Sequence, residues 1–323
     1  MIRVRFAPSP TGYLHIGGLR TALYNYLFAK QNNGHLILRI EDTDRTRLVD
    51  GAIDNLISTL SWSGIEFDEG PHKEGDYGPY IQSERLDIYH QHTIKLIKSG
   101  NAYPCFYPKD RLETIQSKNI PSEIVAEYDT RFRDLDIDES IEKMKHENHI
   151  VRLKIPSKGS ISISDTIRGT IEFDLSLIQD QIILKSDGFP TYHLASVIDD
   201  HLMNITHVIR GEEWVASLPK HALLYQAFEW EMPTFVHLPL LLNKDKSKLS
   251  KRQGDVAVED YKLKGFVKNA LINYVALLGW HGSDNKEIYN FDELIDSFSI
   301  DRIKSSGAIF DVKKLIWFNQ QYI

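Results

Sequence analysis

The first hundred residues alternate between short apolar runs and longer stretches whose apolar positions recur every three or four residues. Residues 3–7 read as a strand, ended by Pro8, Pro10 and Gly12, which break a ladder. From about His15, the residues Leu19, Leu23, Tyr26 and Leu27 keep helical spacing as far as Asn32, Asn33 and Gly34, a helix stop. Residues 36–40 form a buried-type strand, followed by a polar run over 41–44. Asp50 is placed to cap a helix with Ile53, Leu56, Ile57 and Leu60 on one face. Ser83 is placed to cap another that runs to Gly100, with Leu86, Tyr89, Leu96 and Ile97 as its stripe. Strand, helix, strand, helix with short connections predicts parallel pairing and a Rossmann-like α/β unit.

The pattern changes after Pro104. Residues 105–150 are charged and carry few sustained apolar stripes, and residues 150–185 alternate in the β manner. Strand–helix character resumes at 191–195 and 205–210, whereas from about Asp255 only helical patterns occur, over 266–278 and 291–298 for example. The expected organisation is a Rossmann-like unit (1–104 and 188–254) interrupted by an insertion (105–187) and followed by a helical part (255–323).

With 323 residues there is chain enough for two or three domains with buried cores. An apolar share of 42% and a charged share of 26% are those of an ordinary globular protein. No apolar run spans a bilayer and no charged-then-apolar leader opens the chain, so the expected location is cytoplasmic. One cysteine, Cys105, excludes an internal disulfide framework and a multi-cysteine zinc site, and reads as a small buried hydrophobe. The net charge of −7 gives no bulk attraction for nucleic acid, so such a partner has to be argued from local patches.

Two constellations carry candidate chemistry. Residues 8–18, ending in His15-Ile16-Gly17-Gly18, follow a strand and open a helix. A helix N-terminus presents unpaired amides and a positive dipole end, which suit phosphate. The glycines allow close approach of a nucleotide, though they equally fit an ordinary packed corner. Residues 244–252 hold five basic side chains against one acid, a loop of polyphosphate size or simply a solvated charged loop. Neither GxGxxG nor GxxxxGK[ST] occurs, which disfavours dinucleotide and P-loop chemistry.

Taken together, His15-Ile16-Gly17-Gly18 and Lys248-Leu249-Ser250-Lys251-Arg252 resemble the HIGH and KMSKS signatures of class I aminoacyl-tRNA synthetases. The intervening stretches 39–45, 190–195 and 210–214 resemble the glutamyl subfamily, and the resemblance covers essentially the whole chain. It implies an ATP-dependent ligase of protein biosynthesis, working as a monomer on L-glutamate, ATP and tRNA(Glu), with Mg²⁺ on the nucleotide. It further implies that the insertion binds the tRNA acceptor end and that the C-terminal part contacts the stem. Catalytic roles fall on His15, Lys248 and Lys251, and the ATP site on Ser9, Thr11, His15, Gly17, Gly18, Leu241, Lys248, Leu249, Ser250, Lys251 and Arg252. The glutamate pocket takes Arg5, Ala7, Ser9, Glu41, Tyr192, Ser196 and Arg210, and the acceptor end takes Asp44 and Arg47. Arginines suit the substrate's side-chain carboxylate, and a glutamate suits its ammonium.

The chain departs from the family pattern in four places. Gly18 stands where the motif has its last histidine, and Ser196 where relatives commonly have asparagine. Of the three cysteines and one histidine that hold zinc in some relatives only Cys105 remains, with Tyr107, Phe132 and Asp134 at the other positions, so no zinc is expected. The sequence ends at Ile323, where full-length relatives continue into an anticodon-binding region. The alternatives are a glutamyl-queuosine tRNA(Asp) synthetase and a non-catalytic tRNA-binding module. A glutaminyl enzyme is disfavoured by the cation at Arg210.

Overall fold

Strand β1 (Arg3–Phe6) is buried at every position and pairs in parallel with β2 (His35–Leu38), Arg3 opposite His35 and Phe6 opposite Leu38. A parallel pair needs a crossover, and helix α1 (Ile16–Gln31) supplies it. The computed structural model describes residues 1–106, 130–249, 257–284 and 286–323. Helix α1 is buried on nearly all sides (Ile16, Leu19, Leu23, Tyr24, Leu27), as expected of a helix that is apolar around its circumference. Helix α2 (Ala52–Trp62) follows, entered through Gly51 at φ 72° rather than capped by Asp50; glycine carries this left-handed backbone without a Cβ penalty. Helix α3 (Leu86–Lys98) starts three residues beyond Ser83, which lies in a preceding 3₁₀ turn (Gln82–Arg85). The cause is Asp42, whose carboxylate accepts the Ser83 amide at 2.8 Å and holds it in the turn.

The remaining strands form two further sheets. Strands β3 (Ala102–Phe106), β4 (His149–Leu153) and β7 (Gln181–Leu184) are antiparallel in the order β3-β4-β7, and helix α4 (Ile137–Met144) lies between β3 and β4 in sequence. Pro104, where the sequence pattern breaks, sits inside β3; there β3 is the outer strand among the described residues, so the missing N–H costs no ladder bond. Strands β5 (Ser160–Asp165), β6 (Gly169–Asp174), β8 (His207–Gly211) and β9 (Thr234–Leu238) have the order β6-β5-β9-β8. Here β8 and β9 run parallel, and β5 joins β9 in parallel at Asp165 opposite Phe235. The Thr206 amide donates to the Arg3 carbonyl at 2.9 Å, tying the start of β8 to β1. Helices α5 (Tyr192–Leu202) and α6 (Leu218–Ala227) flank this sheet.

Beyond residue 257 come α7 (Val258–Leu263), α8 (Lys268–Ala276), α9 (Phe291–Ser297) and α10 (Val312–Gln321). This stretch is not helical throughout: β11 (Ala308–Ile309) pairs in parallel with β10 (Leu241–Leu242). Two residues are too few to register as a period. The Tyr24 hydroxyl donates to the carbonyls of Ala276 (3.0 Å) and Leu278 (2.9 Å), so these helices pack on α1. Trp280, Phe298 and Phe318 share one buried cluster with Val4, Leu23 and Leu38. A second cluster joins Tyr89, Val197, Ile198 and Tyr225, each large apolar side chain contributing about 1.5–3 kcal/mol. Cys105 is fully buried beside Tyr103 and Ile150, the small-hydrophobe role expected of it. No helix among the described residues is long and apolar enough to cross a membrane.

Candidate active site

Residues at or just beyond the carboxyl ends of β1, β2, β8 and β9 line one cleft of about 530 Å³; Arg5, Glu41, Arg210 and Leu240 represent the four strands. This is where an open α/β sheet leaves room for a ligand, because the strands stop while their connections diverge. The N-terminus of α1 opens into the same cleft. His15 caps that helix, its Nδ1 accepting the Gly18 amide at 3.1 Å, so a neutral ring carries its proton on Nε2. No acidic residue stands in the first turn of α1 to offset the positive end of the dipole. A Cβ at Gly18 would come within 2.8 Å of the Leu14 side chain, so this glycine also serves packing.

Of the other residues singled out in the sequence, Ala7, Ser9, Thr11, Gly17 and Tyr192 line the cleft. So do Arg47, Leu241, Lys248 and Leu249. The Leu249 amide donates to the Leu241 carbonyl at 2.9 Å, which brings the basic loop to the cleft wall. Ser250, Lys251 and Arg252 lie outside the described residues, as does Tyr107. Ser196 is not part of the wall; it is fully buried and accepts from Arg39 at 3.5 Å. Asp44 is exposed and accepts the Thr46 hydroxyl at 2.8 Å.

Beneath the cleft floor lies a compensated ionic network that the sequence reading missed. Arg5 donates through Nε to Asp200 at 3.0 Å. Arg39 donates to Asp200 at 2.7 Å and to Glu41 at 3.0 Å. Arg85 (2.8 Å), Gln82 (2.9 Å) and Tyr89 (2.8 Å) donate to Asp199. Burial alone would raise the Asp200 carboxyl, but Arg39 and Arg5 beside it hold it below the ordinary carboxylate range. Glu41 is raised, because its burial outweighs the pull of the same two arginines. The signal for these residues was present: Arg39 interrupts an otherwise apolar strand run, and Asp199-Asp200 end an apolar helix face.

Arg210 is different. Its Nε donates to His237 Nε2 at 3.0 Å, Nη1 to the Tyr192 hydroxyl at 2.7 Å, and Nη2 to the Trp214 carbonyl at 3.4 Å. His221 Nδ1 faces Nη1 at 3.5 Å, and the Tyr192 ring packs on Trp214 with centroids 4.4 Å apart. Only 5% of Arg210 is exposed, yet among the described residues no carboxylate forms an ion pair with it. A buried guanidinium with neutral partners is an electrostatic demand for an anion.

The histidines around Arg210 make stability pH-dependent. Burial, then Lys220 and Arg210, depress His193 to about 4, and burial and Arg210 push His221 well below its ordinary value. The folded state therefore keeps these rings neutral at pH values where the unfolded chain, near 6.5, takes up protons. Stability is expected to be full above about pH 6.5 and to fall as the pH drops toward about 4. Glu41 acts in the opposite sense, as a single group. Thermal melts should show Tm declining between about pH 7 and about pH 5. A flat Tm across that range would refute the burial of neutral imidazoles.

Comparison with known proteins adds a family to this geometry. Residues 1–317 match the family described as tRNA synthetases class I (E and Q), catalytic domain. The chain is 55% identical to a glutamate–tRNA ligase of Chloroherpeton thalassium over 331 aligned positions, which cover 100% of this chain and 66% of that protein. It is 52% identical to a glutamate–tRNA ligase of Clostridioides difficile, covering 100% of this chain and 67% of the relative. The chain thus spans about two thirds of the length of these curated relatives. Among solved structures it is similar to a glutamate–tRNA synthetase from Elizabethkingia anophelis, with a TM-score of 0.89, 42% identity, and coverage of 99% of this chain and 70% of the other. A glutamate–tRNA ligase from Elizabethkingia meningosepticum in complex with its amino acid matches with the same TM-score of 0.89 and identity of 42%, over 99% of this chain and 69% of that one.

Proposed function

Because this chain belongs to the family of class I tRNA synthetase catalytic domains (E and Q), we propose that it activates L-glutamate with ATP and transfers it to the 3′-terminal adenosine of tRNA(Glu). The observation that carries the reading is Arg210, a buried cation with neutral partners at the wall of the cleft. It supports recognition of a second carboxylate and disfavours a neutral amide in that place. Arg5 has terminal nitrogens that no described residue bonds and lines the same cleft, which supports a shared role. Glu41, already an acceptor for Arg39, takes the substrate ammonium, with Ala7, Ser9 and Tyr192 around it and Ser196 acting through Arg39.

Activation forms a bond between a glutamate α-carboxylate oxygen and the α-phosphorus of ATP and breaks the bond to pyrophosphate. The attacking carboxylate is already ionised, so no general base is required; positioning and charge neutralisation are. In this reading His15 Nε2, the amide end of α1 with Ser9, Thr11, Gly17 and Gly18, and the basic loop serve that purpose. Leu241, Leu249, Ser250 and Arg252 frame the nucleotide, and Lys248 and Lys251 meet the polyphosphate, on which Mg²⁺ arrives. No resident zinc is proposed, since among the positions that hold it in zinc-bearing relatives only Cys105 is a ligand of the expected type.

The proposed division is a catalytic unit (1–104 and 188–254), an acceptor-end-binding insertion (105–187) and a helical stem-contact part (255–323), with Asp44 and Arg47 toward the acceptor end. The separate β3-β4-β7 sheet supports the insertion, while the β5–β6 hairpin crosses that division to join β9. The reading assigns the chain to cytoplasmic protein biosynthesis, as a monomer. ATP–pyrophosphate exchange with tRNA(Glu) supplied tests it: glutamate is expected to support exchange far better than glutamine. No exchange with any amino acid would favour the non-catalytic module. Exchange with transfer to tRNA(Asp) in place of tRNA(Glu) would favour the glutamyl-queuosine alternative.

A further inference from the structure

The two hydrogen bonds of His237 admit one arrangement. An arginine Nε–H can only donate, so His237 Nε2, facing Arg210 at 3.0 Å, must offer a lone pair. The ring proton then sits on Nδ1, which donates to Asp165 Oδ2 at 2.7 Å. Asp165 is itself fixed: Oδ2 also accepts the His237 amide at 3.1 Å, and Oδ1 accepts the amides of Ile167 (3.0 Å) and Arg168 (2.9 Å). His237 and Asp165 are 0% and 2% exposed, so no solvent competes for these bonds. The other tautomer, or a protonated imidazole, would set N–H against N–H, and the Arg210 Nε would lose its partner.

We propose that Asp165, through the tautomer it imposes on His237, is a positioning residue for Arg210, fixing the guanidinium plane for the substrate's side-chain carboxylate. This rests on the reading of Arg210 given above. With Nε on His237, Nη1 on the Tyr192 hydroxyl and Nη2 on the Trp214 carbonyl, the plane of the guanidinium is fixed at the cleft wall. Discrimination between glutamate and glutamine then depends on a carboxylate at the end of β5, a strand of the 105–187 segment, that lies outside the lining of the cleft.

Asp165→Asn tests this directly. The asparagine oxygen can still accept the Ile167 and Arg168 amides, which preserves the turn, while its NH₂ faces His237 Nδ1 and gives up the bond from the His237 backbone amide, a stability cost that Tm reads separately from KM. The ring must then move its proton to Nε2, against Arg210. The KM for glutamate is expected to rise about tenfold or more, with the KM for ATP within about twofold. The preference over glutamine should narrow with it. His237→Phe, lacking an acceptor, should match Asp165→Asn, whereas His237→Gln, which can present an oxygen to the Arg210 Nε, should recover much of the loss. NMR of protein carrying ¹⁵N-histidine is expected to find the His237 proton on Nδ1 in wild type and on Nε2 in Asp165→Asn. An equal rise in both KM values, or a switched tautomer with unchanged KM for glutamate, would overturn the proposal. Should wild type fail to activate glutamate at all, the functional reading falls, and the NMR tautomer still decides whether Asp165 sets the ring.

Discussion

Replacing Arg210 with methionine is expected to lower kcat/KM for glutamate by roughly 10²- to 10⁴-fold while leaving the KM for ATP little changed. Methionine keeps the length of the stem and removes the cation. Binding would then leave the substrate's second carboxylate desolvated and unpaired, and removing one partner of a buried ion pair costs about 3–5 kcal/mol. Glutamine carries no such charge and should lose far less, so the gap between the two amino acids should narrow. The neutral partners of Arg210 make the test clean: Tyr192, His237 and Trp214 are not left as unpaired charges when the guanidinium goes. Steady-state kinetics for both amino acids, with tRNA present, decide the matter. A fall by the same factor for glutamate and glutamine would reduce Arg210 to a structural residue and shift the recognition to Arg5.

Asp200→Asn should be among the most destabilising single substitutions in the chain. Its carboxylate joins two buried guanidinium groups, Arg5 at 3.0 Å and Arg39 at 2.7 Å, and is itself almost wholly buried. Neutralising it leaves two buried cations with Glu41 as the nearest compensation, a loss of about 3–5 kcal/mol. At about 2.1 cal/mol/K of unfolding entropy per residue, that lowers Tm by roughly 4–7 °C for a chain of 323 residues. Glu142→Gln is the matched control, because the pair Glu142–Lys145 has side chains 63% and 59% exposed. Exposed pairs contribute about 0–1 kcal/mol, so the control should move Tm by no more than about 1.5 °C. Calorimetry giving equal shifts for the two variants would show that the network beneath the cleft is not what holds β1, β2 and α5 together.

What the sequence by itself determined are the features with a local physical cause. The first strand (expected over 3–7, found over 3–6), the helix opening at His15 and the second strand (expected over 36–40, found over 35–38) follow from apolar spacing and from glycine and proline punctuation, with strand ends shifted by one or two residues. The helix N-terminus with its two glycines and the clustered lysines of 244–252 were likewise legible as chemistry, because a dipole end and a charge run are properties of consecutive residues. Helix starts were less legible: Asp50 and Ser83 have capping side chains, but Gly51 and the Asp42 carboxylate, acting on backbone geometry, moved both boundaries. The two-residue pairing of β10 with β11 left no period to read.

Only the tertiary structure decided which arginine is compensated and which is not. Arg5, Arg39 and Arg210 look alike in the sequence; folding gives the first two Asp200 and gives Arg210 the neutral ring of His237. The link from Asp165 through His237 to Arg210 was equally invisible, for it joins β5, β9 and β8 across the parallel pairing at Phe235. A hydrogen bond of fixed polarity depends on distance and direction between residues far apart in the chain, and neither periodicity nor composition carries that information.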